Sequence, residues 1–525
     1  MRELVRVVTS SESAARDASA IAAGVPSRAL MQRAGAAAAG EIALRFRDRL
    51  AGGVLVLAGP GNNGGDAWVV ARALAAVGTK VRVVEPVPAK TADAIAERGL
   101  ALGTPNLRHT ELPTGSLDGG EAIVVDGLLG TGANGAPRAA LADAIDRLSR
   151  LRSRGAVVVA LDLPSGVDAS TGATPGPVVG ADLTVAFGTI KRGHLAARDD
   201  CGAIVAVDIG LGRHVDLADG APELVDERWV GSTLPSFPAD AHKGTRKKLA
   251  IVGGAGGMAG AAVLAARAAM RSGAGMVKLV VARESLPAVQ EAEPGALAAG
   301  WPVDDAAFER DILSWADAVV VGPGLGRDAS SRALLERLLR AWTGPTLLDA
   351  DAITLFEGRV PDLAALIGDR AALLTPHAVE FARLAAINAD DVLARRFDIA
   401  SDTASALGAT VLLKGVPTVI TASDGRRLVS AAGTPALATG GSGDLLSGIA
   451  GTLLAQLGDP FIAGAIGAWV HGRAAERVPS SGGDRVRGIA LDDVVAELRD
   501  AWTFDMRPLR YPVLVELPAV GGRAP

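Results

Sequence analysis

Several short segments of this 525-residue chain pair reactive side chains with glycines that would leave them open to a ligand. Gly59-Pro60-Gly61-Asn62-Asn63-Gly64-Gly65-Asp66 follows the apolar run at 54–57, and Glu85 closes the next apolar run. The spacing G-x-G-x-x-G after a strand and before a helix is that of a dinucleotide-phosphate loop, in which glycines admit backbone amides to an anion at a helix N-terminus. The tandem asparagines and Asp66 point to a different polar task, because a carboxylate at that place would repel a pyrophosphate. Two more polar segments follow apolar runs: Asp126-Gly127-Leu128-Leu129-Gly130-Thr131-Gly132, and Asp162-Leu163-Pro164-Ser165-Gly166-Val167-Asp168. Asp162 reads either as a turn-capping acid before Pro164 or as a proton carrier. Far along the chain, Thr439-Gly440-Gly441-Ser442-Gly443-Asp444 opens a helix. Amides at such a turn can hold the oxygens of a transferring phosphoryl group while Asp444 accepts the proton of an attacking hydroxyl.

Parallel sheets covered on both faces would position these residues. Nearly continuous apolar runs at 54–57, 81–84, 122–125, 157–161, 183–187 and 204–207 alternate with helical patterns. This is the signature of buried parallel strands, whose carboxyl ends carry ligands. The alternation pauses at 217–241, where Pro222, Pro235 and Pro238 fall, then restarts with runs at 249–252, 276–281, 318–321, 346–348, 371–374 and 411–413. The expected organisation is an α/β domain over 1–225, a second α/β domain over 226–510, and a loosely ordered tail over 511–525.

Composition narrows the function. With 53 Lys plus Arg against 58 Asp plus Glu, the net charge of −5 does not favour nucleic-acid binding, and the basic residues at 243–248 form only a local cluster. The single cysteine, Cys201, excludes an internal disulfide framework and reads as a small buried residue. Residues 1–20 carry Glu3, Glu12 and Asp17 and lack a signal-peptide core, and the uncharged stretch 249–266 is broken by glycines. The expectation is a cytoplasmic protein with no membrane partner.

The first three polar segments, with Leu30-Met31 and Ala34-Gly35 upstream, resemble the epimerase half of the bifunctional NAD(P)H-hydrate repair enzymes. The resemblance implies a Rossmann-like three-layer α/β/α domain that binds K⁺ through Asn63, Asp126 and Ser165. It also places Asn62, Asn63, Gly64, Gly65, Asp66 and the loop Gly130, Thr131, Gly132, Ala133, Asn134, Gly135 and Ala136 around the substrate, with Asp162 beside the reacting ring. Epimerisation breaks and remakes a bond at the hydroxyl-bearing carbon, so a carboxyl that gives and recovers a proton is a chemical need, and Asp162 is the candidate. Ala67 departs from this resemblance, standing where the family usually has a further glycine.

The second half resembles the dehydratase half of the same enzymes through His242-Lys243-Gly244, Gly322-Pro323-Gly324-Leu325-Gly326, Asp349-Ala350-Asp351, Thr375-Pro376-His377 with Glu380, Lys414-Gly415, and the Asp444 element. That resemblance implies a ribokinase-like α/β domain and adenine-nucleotide binding by Lys414, Gly415, Val416, Pro417, Thr418 and Gly443. Ala261, Gly324, His377 and Asp444 would line the hydrate, and ADP or ATP would arrive with Mg²⁺. The implied substrates are the hydrates NADHX and NADPHX. Phosphorylation of the ring hydroxyl with Asp444 as base turns a poor leaving group into a good one. Asp349 and Asp351 stay unassigned between structural and functional roles, and His471 reads as packing. A homo-oligomer is expected. The alternatives are a vitamin-precursor alcohol kinase of the hydroxymethylpyrimidine or thiazole type with a non-catalytic N-terminal binding domain, and a Rossmann dehydrogenase.

Overall fold

The computed structural model describes residues 5–113, 116–117, 119–211, 220–302, 304–479 and 487–520. Two compact units emerge, Met1–Ala221 with Arg507–Pro525, and Pro222–Met506. Each apolar run named above falls on a strand, with Ala122 and Ala371 one residue outside theirs.

In the first unit the strands are β1 (Val54–Ala58), β2 (Val81–Glu85), β3 (Leu107–Glu111), β4 (Ile123–Gly127), β5 (Val157–Leu161), β6 (Leu183–Phe187) and β7 (Ala203–Val207). They lie side by side in the order β7-β6-β5-β4-β1-β2-β3, all parallel. Val-Leu-Val-Leu-Ala in β1 is buried throughout because helices cover both faces, one through a core around Trp68 and Ile42, the other through Leu128 and Ile145. Strand order reverses between β1 and β4. A crevice opens at such a switch point, and the glycine loop after β1 and Asp126 at the end of β4 both stand there. The loop runs into helix α2 (Asn62–Ala76), preceded in the chain by α1 (Ser10–Ala22). A Cβ on Gly64 would sit 1.8 Å from the Gly59 carbonyl oxygen, so only glycine lets α2 close on its own loop.

The tail expectation is corrected. Val513–Leu517 is a strand paired antiparallel with β7 as the edge of the first sheet, and residues 521–525 lie outside the described residues. Ion pairs from Arg510 to the fully buried Glu41 and from Arg45 to Glu516 at 2.6 Å fasten it. The alternating apolar pattern Val-Leu-Val-Glu-Leu fits a half-buried edge strand, a period-2 signal too short to stand out at a chain end.

The second unit holds β8 (Lys248–Val252), β9 (Met276–Val281), β10 (Leu297–Gly300), β11 (Ala318–Val321), β12 (Thr346–Leu348), β13 (Ala372–Leu374), β14 (Thr410–Leu413), β15 (Thr418–Thr421) and β16 (Arg427–Ser430). Their order is β16-β15-β14-β13-β12-β11-β8-β9-β10, and Glu223–Leu224 pairs with β16 at the edge. The sheet is parallel from β10 to β14, whereas β15 and β16 run antiparallel as a hairpin extension. Helices α3 (Ala259–Arg271), α4 (Ala378–Ala385), α5 (Ser442–Leu457) and α6 (Pro460–Arg477) flank the strand ends that bear the polar segments. Residues 212–219, partly within the expected break, lie outside the described residues. Cys201 is fully buried, and burial pushes its thiol up to about 12.

Candidate active sites

A cavity of about 680 Å³ in the first unit is lined by Asn62, Asn63 and Asp66 from the glycine loop and α2, by Gly130 to Asn134 after β4, by Asp162 after β5, and by Lys191 and Asp17. Gly65 faces Met31 in helix packing, as Gly64 faces Gly59, while Gly135 and Ala136 continue the loop beyond the residues that line the cavity. Ala67 is fully buried against Gly127, so its extra methyl group packs toward the sheet.

Asp162 sits at φ +61°, a left-handed conformation uncommon outside glycine and concentrated at functional sites. This turn aims its carboxyl back across the strand ends. One oxygen accepts Lys191 Nζ at 2.5 Å and the Phe187 amide at 3.3 Å; the other accepts the Thr131 amide at 3.3 Å and the Thr131 hydroxyl. Burial alone would raise its pKa, yet the Lys191 charge and these hydrogen bonds hold the carboxyl below its usual range. Lys191 is 1% exposed and also donates to the Phe187 carbonyl at 2.9 Å. His194 takes the Lys191 amide on Nδ1 at 3.0 Å and donates from Nε2 to the Asp162 carbonyl at 2.6 Å. Burial, then Lys191, push its pKa down to about 4, so it is a neutral brace for the Asp162 turn.

Sequence reasoning missed Lys191, His194 and Asp17. The signal for the first two is a lysine and a histidine three residues apart directly after the buried strand β6, in Phe187-Gly188-Thr189-Ile190-Lys191. A lysine in such a run needs a carboxylate partner. Asp17 carries no local signal, since only the packing of α1 brings it to the cavity.

The three expected K⁺ ligands converge. Asp126 is fully buried and accepts the Ser165 hydroxyl at 2.7 Å and the Ser165 amide at 2.8 Å. Asn63 Nδ2 donates to the carbonyls of Leu129 at 2.7 Å and Leu161 at 3.1 Å, and this fixes its orientation. Asn63 Oδ1 is then buried without a hydrogen-bond partner. Burial lifts Asp126 to about 6 against the pull of the Ser165 bonds, a cost that a neighbouring cation would relieve. An orphaned amide oxygen, one carboxylate and one hydroxyl form a hard-oxygen set that fits a weakly held monovalent cation.

In the second unit, Asp349 after β12 is 1% exposed and accepts Thr375 Oγ1 at 2.8 Å, Lys414 Nζ at 2.9 Å and Ser447 Oγ at 2.7 Å. Lys414 Nζ lies 3.8 Å from Glu380 and 3.2 Å from where a Gly443 Cβ would stand. The lysine read as part of the nucleotide segment thus directs its ammonium under the N-terminus of α5. Burial would lower its pKa, but Asp349 and Glu380 outweigh that and keep it protonated. Gly441, at φ +95°, caps α5 without any side-chain hydrogen bond, leaving a helix N-terminus above a buried cation. Such an arrangement can cradle phosphoryl oxygens.

The other expected residues lie on further loops and helices of the second unit. A Cβ on Gly324 would meet Met258 and Ala261, which joins the loop after β11 to α3, and Gly441 abuts Leu264 of α3. His377 caps α4, accepting amides of Val379 and Glu380 on Nδ1, and its ring is half exposed next to Lys414. Arg396 Nη1 donates to the Pro417 carbonyl at 2.7 Å and fills the space beside Gly415, while Thr418 Oγ1 donates to the Gly415 carbonyl. Asp351 accepts the Gly326 amide and pairs with exposed Arg327, a loop-holding role. His471 is buried, lies 3.3 Å from Ser442 Oγ and is pushed down to about 4 by burial. In the basic cluster, Arg246 stacks on Phe237 and donates to Gly273, a structural arrangement.

Burial, reinforced by the negative charge of Asp349, raises Asp444 to about 7 despite Lys414. A base must be ionised, so if Asp444 serves as one, kcat/KM for the second unit's reaction should fall about tenfold per pH unit below pH 7. A rate profile from pH 5.5 to 8.5 checks this, and a rate that stays level between pH 7 and pH 5.5 contradicts it. His471, neutral throughout that range, does not supply the limb.

Two α/β units, each with a buried carboxylate–lysine pair and glycine-rich turns at the strand ends, define a two-site, nucleotide-handling enzyme. A family model described as NAD(P)H-hydrate dehydratase matches residues 249–495, and one described as YjeF-related protein N-terminus matches residues 27–193. The bifunctional NAD(P)H-hydrate repair enzyme of Escherichia coli (strain K12) is 34% identical over 462 residues, covering 85% of this chain and 84% of its own. That of Thermanaerovibrio acidaminovorans is 36% identical over 501 residues, covering 91% and 94%. The crystal structure of an ADP/ATP-dependent NAD(P)H-hydrate dehydratase from Bacillus subtilis, co-crystallised with ATP and Mg²⁺, is 27% identical over 53% of this chain and 96% of its own, with a TM-score of 0.45. The chain belongs to the family of bifunctional NAD(P)H-hydrate repair enzymes.

Proposed function

We propose that the first unit interconverts the R and S epimers of NADHX and NADPHX and that the second unit dehydrates the S epimer at the expense of ADP or ATP. The similarity to full-length relatives across both units supports this reading most strongly. In the first unit, Asp162 faces the hydroxyl-bearing ring carbon, with Lys191 and Thr131 fixing its carboxylate. The amides and side chains of Asn62, Asn63, Asp66 and the loop Gly130 to Ala136 hold the rest of the substrate. Asn63, Asp126 and Ser165 hold K⁺, which supplies positive charge beneath the loops after β1, β4 and β5.

In the second unit, Asp444 takes the hydroxyl proton as the ring oxygen attacks the terminal phosphorus of the nucleotide. The α5 N-terminus and Lys414 receive the developing negative charge. The ring nitrogen's lone pair then expels phosphate, and loss of a proton from the adjacent carbon restores the dihydropyridine. Ala261, Gly324 and His377 line the hydrate. Residues Gly415 to Thr418 and Gly443 hold the adenine nucleotide, whose base the 63% exposed Val416 suits. Among the described residues no cluster of three acid, histidine or cysteine side chains is arranged for a metal, so Mg²⁺ would come on the nucleotide's phosphates. A homo-oligomer is part of the proposal, supported by exposed Val379, Ile387 and Leu393. So is a cytoplasmic location. Among the described residues no helix is long and apolar enough to cross a membrane.

The test follows orthophosphate and reduced cofactor together, with either nucleotide. Equal yields of the two are expected, and a stable phosphorylated alcohol would point instead to a precursor kinase. Replacing K⁺ with a bulky monovalent cation should slow conversion of the R epimer and leave that of S intact. Equal losses for both epimers would remove the cation from Asn63, Asp126 and Ser165.

A further inference from the structure

The epimerase cavity holds two buried carboxyls with opposite surroundings. Asp162 receives hydrogen bonds from two amides, a hydroxyl and an ammonium. Asp66, on α2 and 8% exposed, lines the same cavity, yet among the described residues no hydrogen-bond donor of the chain reaches its carboxyl. Lys191 is the cation that acts on both, and it is committed to Asp162. A carboxyl bound by donors alone rests ionised, ready to accept a proton, whereas one buried beside other acids without a donor is best held protonated.

We infer that Asp66 is a second catalytic group of the epimerase centre, the acid that protonates the substrate hydroxyl, and that the hydroxyl-bearing carbon lies between Asp66 and Asp162. The inference rests on the epimerase reading of the first unit and changes the place of Asp66 in it, from substrate holder to proton donor. Burial and the nearby charges of Asp162 and Asp17 raise the pKa of Asp66 well above the usual carboxyl value, while that of Asp162 lies below it. Two carboxyls pushed apart in this way divide into acid and base.

The step balances. Asp66 gives its proton to the hydroxyl, the carbon–oxygen bond breaks with its electron pair on oxygen, and water leaves. The ring nitrogen's lone pair forms the carbon–nitrogen double bond of an iminium ion, whose charge Asp162 faces. Water adds to the other face as that pair returns to nitrogen, and its surplus proton passes to Asp162. One water is released, one is consumed, and one proton has moved from Asp66 to Asp162. The exchanged pair is set for the opposite epimer, or resets through cavity water.

The experiment measures R-to-S interconversion by wild type, Asp66→Asn and Asp66→Glu in water enriched in ¹⁸O. Asparagine matches the shape of a protonated acid, so thermal unfolding of that variant should follow wild type and separate chemistry from folding. Expected for Asp66→Asn is a kcat lower by about 100-fold or more, with KM little changed. Asp66→Glu should recover part of the rate, and wild type should place one solvent oxygen in the hydrate per epimerisation. A loss confined to KM, or wild-type kcat in Asp66→Asn, would return Asp66 to substrate holding. Epimerisation with the original oxygen retained would exclude the carbon–oxygen cleavage. A wild-type chain that leaves the R epimer untouched would overturn the epimerase reading itself.

Discussion

Asp444→Ala is expected to end NADH formation from either epimer while R and S still interconvert at the wild-type rate. The α5 N-terminus lacks a side-chain cap, and Asp349 holds Lys414 beneath it. Both remain in the variant, so the anion cradle and nucleotide binding are kept. What disappears is the group that takes the hydroxyl proton as the oxygen attacks phosphorus, worth about 10²–10⁴ in rate. Asp444 is half-buried in a region made negative by Asp349, Asp351 and Glu380, so its removal relieves repulsion and should not destabilise the unit. Steady-state rates with saturating nucleotide, beside an epimer ratio followed by chromatography, check both halves. A KM increase at unchanged kcat would reassign Asp444 to binding.

Asp162→Ala should lose epimerisation and also weaken the fold of the first unit. Its partner Lys191 is 1% exposed, and the variant leaves that ammonium buried with only the Phe187 carbonyl and the surrounding acids. Breaking a buried pair from one side costs about 3–5 kcal/mol. The double variant Asp162→Ala, Lys191→Met removes both charges and should regain most of that stability while remaining inactive as an epimerase. Denaturant unfolding of the single and double variants reads the difference. Equal destabilisation in both would show that the pair is not what Asp162→Ala breaks, and epimerase activity in the double variant would take Asp162 out of the chemistry.

Residues that end apolar strands were legible in the sequence, because a buried parallel strand announces itself by continuous β-branched runs and the next polar residue must stand at its carboxyl end. Asp126 and Asp162 were found this way, whereas Lys414 came from the resemblance, and the structure gathers Asp126 with Asn63 and Ser165. Direction was not legible. Lys414 belongs to the segment read as nucleotide-binding, yet its side chain turns toward Asp349 and Gly443, which only the packing of α5 on the sheet decides. Asp349 had two equal readings until its three donors were seen, and they come from just after β13, just after β14 and from α5, far apart in sequence. The edge strands escaped for a different reason. Leu107–Glu111, with the sequence Leu-Arg-His-Thr-Glu, is half exposed and so lacks the apolar run that marks the central strands. Lys191 and His194 hid in a two-residue strand and the five-residue helix after it, both too short to show a period.

The most direct measurement mixes two variants, each blocked at one site. Asp444→Ala and the Asp162→Ala, Lys191→Met double variant are supplied together with pure R-NADHX, ADP or ATP, Mg²⁺ and K⁺, and absorbance is followed at the NADH band. Separately each should give no NADH beyond the spontaneous rate. Together they should convert the substrate completely, because one supplies the S epimer and the other dehydrates it. Failure of the mixture where wild type succeeds would contradict the account, since two independent sites in one chain must complement each other.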